Sequence, residues 1–358
     1  MNVEDRFNLI REVGEEVITE EELKKLLEEK KHPIAYDGFE PSGKIHIAQG
    51  ALRVININKM IKAGCKFKIF VADWHALANN KLGGDLDKIQ TVGKYFIEVW
   101  KAAGIDTTNV EFVWGSDLVK DEKYWEKVMK VAVNSTLNRI VRCSQIMGRS
   151  ESESLQASQI FYPCMQCADI FHLGVDIAQL GMDQRKVNML AREIGPSLGF
   201  WKPVAVHHHM LMGLQEPPEE NLPEIEKKIA MKMSKSKPDT AIFMHDPEQE
   251  VKRKISKAYC PERKTKDNPI IEYMKYIIFE KYKKIKIERS SKFGGDLELN
   301  NCHELESLFS EGKIHPLDLK NTAAKYINEI LNPVRQHFEK NKKAKALKEE
   351  VESFNITR

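Results

Sequence analysis

The chain has 358 residues, 42% hydrophobic and 30% charged, with a net charge of +3. That length accommodates two domains with their own cores, since single cores stop growing at roughly 250–300 residues. No run approaches the ~18 uninterrupted apolar residues of a membrane span. The acidic N-terminus (Glu4, Asp5, Glu12, Glu15, Glu16) lacks a secretory pattern, and six scattered cysteines suit a reducing compartment, so a cytoplasmic protein with no membrane role is expected.

Residues 4–30 space Phe7, Ile10, Val13, Val17, Leu23, Leu26 and Leu27 among charges, which predicts two short amphipathic helices in an N-terminal helical segment over 1–30. His32-Pro33 ends the pattern. β-like runs then alternate with helical ones: a strand at Ile34–Tyr36, a helix through Met60, a strand at Phe67–Ala72, a helix at Leu86–Ala103 and a strand at Val110–Trp114. Helices follow at Glu122–Gln145 and Ser158–Leu173, then strands at Val175–Leu180 and Val204–His207 with a helix at Gln184–Ile194 between them. Such alternation predicts an α/β domain over 31–245, a mostly parallel sheet with helices on both faces. Ligands in that architecture sit beyond the carboxyl ends of strands near a switch point, where Tyr36, Asp73 and Gly181 fall. From Pro247 onward alternation gives way to helical periodicity, which predicts a separate α-helical domain over 246–358.

Two segments carry chemistry together. Tyr36-Asp37-Gly38-Phe39-Glu40-Pro41-Ser42-Gly43-Lys44-Ile45-His46-Ile47-Ala48-Gln49-Gly50 offers a glycine-bearing turn with a histidine ahead of a helix, and Lys232-Met233-Ser234-Lys235-Ser236 offers lysines and hydroxyls. Turn amides and a helix N-terminus can face an anion while lysines add mobile positive charge, so the pair reads as a two-part triphosphate site. Tyr162, Gln166 and Asp169 stand at i, i+4 and i+7, one face of one helix. The window Val251–Arg289 holds thirteen Lys or Arg against five Asp or Glu, a surplus that phosphate-backbone binding would use. No metal is assigned. Cys164-Met165-Gln166-Cys167 has no second pair at zinc-site distance, and neighbouring residues of His207-His208-His209 point to opposite faces of a strand.

Four segments, Tyr36–Gly50, Tyr162–Asp169, Gly181-Met182-Asp183-Gln184-Arg185-Lys186 and Lys232–Ser236, stand in the order found in tyrosyl-tRNA synthetases of the archaeal and eukaryotic type. The resemblance spans about residues 30–340. It implies a class I, Rossmann-like catalytic domain and a helical anticodon-binding domain. The activity it implies is ATP-dependent activation of L-tyrosine to tyrosyl-adenylate, with release of pyrophosphate and transfer of the tyrosyl group to tRNA(Tyr). By the same resemblance His46 contacts the ATP phosphates, Lys232 and Lys235 hold the leaving pyrophosphate, and Gly38, Ser42, Gln49, Asp183, Ser234 and Ser236 complete the ATP site. Tyr36 and Asp169 face the phenolic oxygen, and Tyr162, Gln166, Gln184 and Glu40 surround the ammonium end. Phe293, His315 and Asp318 receive an anticodon base, and Arg142 and Arg185 contact the acceptor stem. Mg²⁺ is implied as the counterion of ATP, with no tightly bound cofactor, and a homodimer with its interface near 120–165. The signature departs from His-Ile-Gly-His at Ala48 and Gln49, and glutamine carries no charge. A tryptophanyl synthetase and a synthetase-derived RNA-binding protein without catalysis are the competing readings.

Overall fold

The computed structural model describes residues 1–147, 154–218, 227, 231–233, 235 and 237–354, with the side chains of Gln145 and Phe293 outside that description. Six strands form one sheet: β1 (Gly14–Ile18), β2 (Ile34–Phe39), β3 (Lys66–Val71), β4 (Val110–Trp114), β5 (Ile177–Gly181) and β6 (Val204–His208), in the spatial order β1-β6-β5-β2-β3-β4. β2 to β6 run parallel and β1 joins β6 antiparallel. All five residues of β5 are buried, as a strand covered on both faces requires.

The chain builds outward from β2 through β3 to β4, then returns to β2's other side for β5 and β6, so the switch point lies between β2 and β5. Their pairing consists of Ala35↔Ile177 and Tyr36↔Ala178. Past Tyr36 the strands part, and the gap at their carboxyl ends is the crevice such sheets use for ligands. Alternate residues of each strand feed opposite faces: Ala35 and Ile177 join one hydrophobic cluster, Tyr36 and Ala178 the other.

Three elements depart from the sequence expectation. The N-terminal segment is not two helices alone: between the helices Val3–Val13 and Glu20–Glu29 the chain forms β1, the antiparallel edge of the main sheet. The predicted helix Glu122–Gln145 is two helices, Glu122–Val133 and Leu137–Cys143. Thr136 caps the second by accepting from the Arg139 amide at 3.2 Å. The C-terminal region, expected to be all helical, also contains a hairpin, β7 (Ile285–Ile287) with β8 (Leu297–Leu299), beside the helices Glu248–Lys257, Cys302–Ser310, Pro316–Lys340 and Lys342–Ser353.

The C-terminal helices pack on the helix Leu86–Ala102. Tyr95 lies 5.8 Å from the Phe338 ring, and His337 Nε2 is 2.9 Å from Glu98 Oε2. Buried Lys254 reaches back to the Ala241 carbonyl at 2.8 Å and to Asp246 at 2.7 Å. One hydrophobic cluster therefore runs from the sheet into the C-terminal helices.

Candidate active site

A cavity of about 240 Å³ opens at the switch point, lined from the end of β2 (Tyr36–Glu40), from Ala72 after β3, from Leu180, Asp183 and Gln184 around the end of β5, and by Tyr162, Gln166 and Asp169. Those last three project together because the helix Ala157–His172 puts i, i+4 and i+7 on one face.

The deep end is a held carboxylate. Asp169 is buried, Tyr124 Oη donates to its Oδ1 at 2.9 Å, and His75 Nε2 lies 3.0 Å from its Oδ2 in a charge contact not aligned as a hydrogen bond. Burial opposes a charge on His75, but the Asp169 carboxylate outweighs it and raises the imidazole pKa. The ring is fixed edge-on against Tyr162 at 4.9 Å and Phe70 at 5.4 Å. Among the described residues Tyr36 Oη is buried with no hydrogen-bond partner, and burial together with Asp169 keeps it protonated far above its ordinary range. A buried hydroxyl beside a carboxylate, both with capacity left over, is an arrangement that a ligand hydroxyl would complete.

The middle of the cavity is amide and carboxylate. Tyr162 hydrogen-bonds Glu40, which also accepts from Asn79 Nδ2 at 3.0 Å. Gln166 Nε2 donates to Gln184 Oε1 at 3.1 Å, and Gln184 Nε2 donates to the Ile146 carbonyl at 3.1 Å. An ammonium group would meet acceptors here on several sides.

The mouth is cationic. The turn after β2 reverses at Gly43 with φ +110°, a conformation costly for any residue with a Cβ. His46 follows, its backbone bridged to Phe243 and its Nδ1 buried without a partner among the described residues. Burial, with Lys235, Lys232 and Arg53 nearby, holds this imidazole neutral. Lys235 Nζ donates to Ser42 Oγ at 3.0 Å, and burial, with Lys81 nearby, pushes its pKa down to about 7. Lys232 Nζ is 3.8 Å from Asp183 Oδ2. Gln49 lines the cavity, its carbonyl accepting from Trp100 Nε1 at 2.9 Å, while Ala48 packs against the core. Ser234 and Ser236 lie outside the described residues.

Beneath the mouth is a network with no counterpart in the sequence expectations. Arg53 Nη1 donates to Asp37 Oδ2 at 2.7 Å and lies 2.8 Å from His208 Nδ1, which Gln179 Nε2 also approaches. Burial outweighs the Arg53 charge and pushes the Asp37 pKa up to about 6. His75, Tyr124, Asp37 and Arg53 reach the site from four separate elements, so no single-segment spacing signals them. For Asp37 the one clue is its place inside the Tyr36–Gly50 segment.

The expected RNA contacts lie apart from the cavity. Arg185 Nε is shared between the two carboxylate oxygens of Glu16, at 3.1 and 2.8 Å, and among the described residues Arg142 donates to the Asn138 carbonyl of its own helix. His315 caps the helix Pro316–Lys340 by accepting from the Leu317 amide at 3.1 Å, with Asp318 in the first turn. Phe293 sits in the turn Ser291–Phe293, its side chain outside the description. Arg289 ties these two loops by donating to the carbonyls of Gly295 at 2.9 Å and Lys313 at 2.8 Å. The basic surplus after Val251 is partly neutralised from outside that window, by Glu248 on Lys252, Asp239 on Arg253 and Asp246 on Lys254. The three adjacent histidines diverge: His207 meets Glu16, His208 meets Arg53, and His209 meets Glu15 and Glu272. Cys164 and Cys167 are buried thiols whose pKa values burial raises, Cys164 to about 11.

Residues 28–332 match the family described as tRNA synthetases class I (W and Y). The chain is 51% identical to a protein of Arabidopsis thaliana named tyrosine–tRNA ligase 1, cytoplasmic, over 99% of this chain and 90% of that one. Its fold superposes on a tyrosyl-tRNA synthetase from Pyrococcus horikoshii complexed with L-tyrosine with a TM-score of 0.91 and 41% identity, covering 98% of this chain and all of the other. A tryptophanyl-tRNA synthetase from Aeropyrum pernix shares the fold, at a TM-score of 0.66 and 18% identity over 95% and 85% of the two chains.

Proposed function

The chain belongs to the class I tRNA synthetases of the tryptophan and tyrosine family, and from that membership we propose that it is a tyrosine–tRNA ligase working in the cytoplasm. The observation that carries the amino-acid assignment is the deep end of the cavity, where the unpartnered Tyr36 hydroxyl stands beside an Asp169 carboxylate held by Tyr124 and His75. A phenol donates to the carboxylate and accepts from the hydroxyl. Phenylalanine would leave both buried groups unsatisfied, the situation that gives hydroxyl-reading sites their selectivity. Indole offers a donor but no acceptor for the Tyr36 hydroxyl.

With the ring seated there, Tyr162, Gln166, Gln184 and Glu40 receive the ammonium group and the carboxylate points to the mouth. A carboxylate oxygen attacks the α-phosphorus of ATP. The bond from that phosphorus to the bridging oxygen breaks, and pyrophosphate leaves with the electron pair. Both reactants are anionic, so catalysis is positioning and charge neutralisation. Lys232 and Lys235 meet the leaving oxygens, neutral His46 donates to the phosphate without repelling the lysines, and Asp183 meets the ribose. Mg²⁺ enters as the counterion of the triphosphate, whose oxygens suit it. In the second step a terminal ribose hydroxyl of tRNA attacks the activated carbonyl and AMP departs.

His315, Asp318 and Phe293 form the anticodon platform, an aromatic, an imidazole and a carboxylate suited to a splayed base. Arg142 and Arg185 serve the acceptor stem. The dimer contact falls on Met129 and Val133, i and i+4 at the end of the helix Glu122–Val133, and on Leu137 at the start of the next helix, with Val133 79% and Leu137 63% exposed; exposed apolar residues clustered in this way mark an interface.

The test is ATP–pyrophosphate exchange on the purified protein with tyrosine, with tryptophan and with no amino acid. Exchange with tyrosine alone is expected. Exchange driven by tryptophan would replace the substrate, and exchange with neither would leave an RNA-binding protein without catalysis.

A further inference from the structure

Gln49 and Arg53 stand four residues apart at the start of the helix Ala51–Lys62, and both line the cavity mouth. A cation in the first turn of a helix opposes the helix dipole. No acidic residue occupies that turn, and its N-cap, Gly50, has no side-chain cap. Burying a guanidinium with a carboxylate adds a desolvation cost that an apolar pair would avoid. The Asp37–Arg53 pair is therefore expensive as structure alone.

Both residues line the cavity. Arg53 is 16% exposed, and its described hydrogen bonds all pass through Nη1, which leaves donors on Nε and Nη2. Nη2 borders the Gly181 turn, lying 3.7 Å from where a Cβ on that glycine would stand, next to Asp183. The Phe39 ring, 5.4 Å from the guanidinium carbon, fixes its plane. On the other partner, the Gly38 amide approaches the Asp37 carboxylate, yet Oδ1 is buried without an aligned partner. A donor edge and an unsatisfied acceptor thus lie side by side under the mouth. A ribose hydroxyl, which both donates and accepts, is the part of a nucleotide that uses both.

We propose that Asp37 and Arg53 are a ribose-reading pair of the nucleotide site, Asp37 Oδ1 accepting from a ribose hydroxyl and Arg53 donating to it. This rests on the adenylation reading above.

The experiment is tyrosine-dependent pyrophosphate exchange with ATP, 2′-deoxyATP and 3′-deoxyATP. Wild type is compared with Arg53→Lys, which keeps the charge and loses the fork, and with Asp37→Asn/Arg53→Gln, which removes both charges and leaves no buried ion unpaired. Wild type is expected to prefer ATP over at least one deoxynucleotide by about tenfold or more, the worth of a hydrogen bond to a charged group. Both variants should lose most of that preference and raise the KM for ATP, with tyrosine affinity by calorimetry unchanged. A purely structural pair would instead leave the preference intact while lowering thermal stability. Wild-type indifference to both deoxynucleotides, or wild-type discrimination in Arg53→Lys, overturns the proposal. Arg53→Lys decides the matter if the double variant does not fold. Absence of tyrosine-dependent exchange in wild type would instead overturn the underlying reading.

Discussion

Lys235 is buried at a cost that a bound triphosphate would offset. Burial, with Lys81 close by, pushes its pKa down to about 7, so above that pH the free protein carries it largely neutral and donating to Ser42. A bound triphosphate favours the charged form and returns the pKa toward the ordinary range. Binding ATP at pH 8 should then take up close to one proton, and binding at pH 6, where Lys235 is already charged, should take up little. Calorimetry in buffers of different ionisation enthalpy measures this: a positive slope of enthalpy on buffer ionisation is expected at pH 8, near zero at pH 6, and lost at pH 8 in Lys235→Met. The apparent affinity for ATP should weaken as pH rises above 7. At this scale the sequence is legible where chemistry is confined to one segment. Tyr162, Gln166 and Asp169 share a helix face, and Ser42 and His46 share a turn. It is illegible where a residue's meaning comes from a partner on another strand or helix. His75 carries no signal of its own in the sequence after Ala72 until Asp169, from a distant helix, stands 3.0 Å away.

The start of the chain shows why one element was missed where its neighbours were found. The parallel strands β2 to β6 appear in the sequence as short apolar runs because both faces are covered. β1 does not, because Val13 and Val17 continue the helical spacing and Glu15 and Glu16 read as a solvated helix face. What breaks the helix is tertiary: pairing to β6, with Glu16 spent on His207 and Arg185. Arg6 then locks the region. Its guanidinium donates to the carbonyls of Leu27 at 2.9 Å, Lys30 at 3.2 Å, Lys31 at 3.0 Å and Ala63 at 2.7 Å. The helix Glu20–Glu29 has no basic residue in its last turn, and Ala63 is the C-cap of Ala51–Lys62, so one side chain from a third helix caps both. Arg6→Met keeps the aliphatic stem and orphans those carbonyls. A loss of about 2–4 kcal/mol is expected from charge-assisted bonds of this kind, read as a lower urea midpoint with the slope unchanged.

Across the whole molecule, the sequence sets the region after residue 246 apart, but its coupling to the sheet could not be read from it. The segment ahead of the lysine loop is gripped from the C-terminal side: Glu272 accepts from the Met212 amide at 2.9 Å and Tyr273 Oη donates to the Met212 carbonyl at 3.1 Å. Met212 in turn bridges Lys232 in antiparallel fashion, and the Gly213 amide donates to the Met231 carbonyl at 2.7 Å. His209 adds a second grip, held between Glu15 and Glu272 and stacked on Tyr276 at 4.2 Å. Glu272 and Tyr273 thus hold the segment against which Lys232 is bridged. Tyr273→Phe removes one hydrogen bond of about 1 kcal/mol and little volume. If the grip positions the lysine, the rate constant for tyrosyl-adenylate formation should fall about fivefold while the tyrosine dissociation constant stays put, because the amino-acid end is anchored on a different helix. Stopped-flow measurement of adenylate formation, paired with equilibrium tyrosine binding, separates this from a general loosening. A parallel loss in both would mean that the contact supports the whole site, and no loss in either would mean that Lys232 is placed by its own loop.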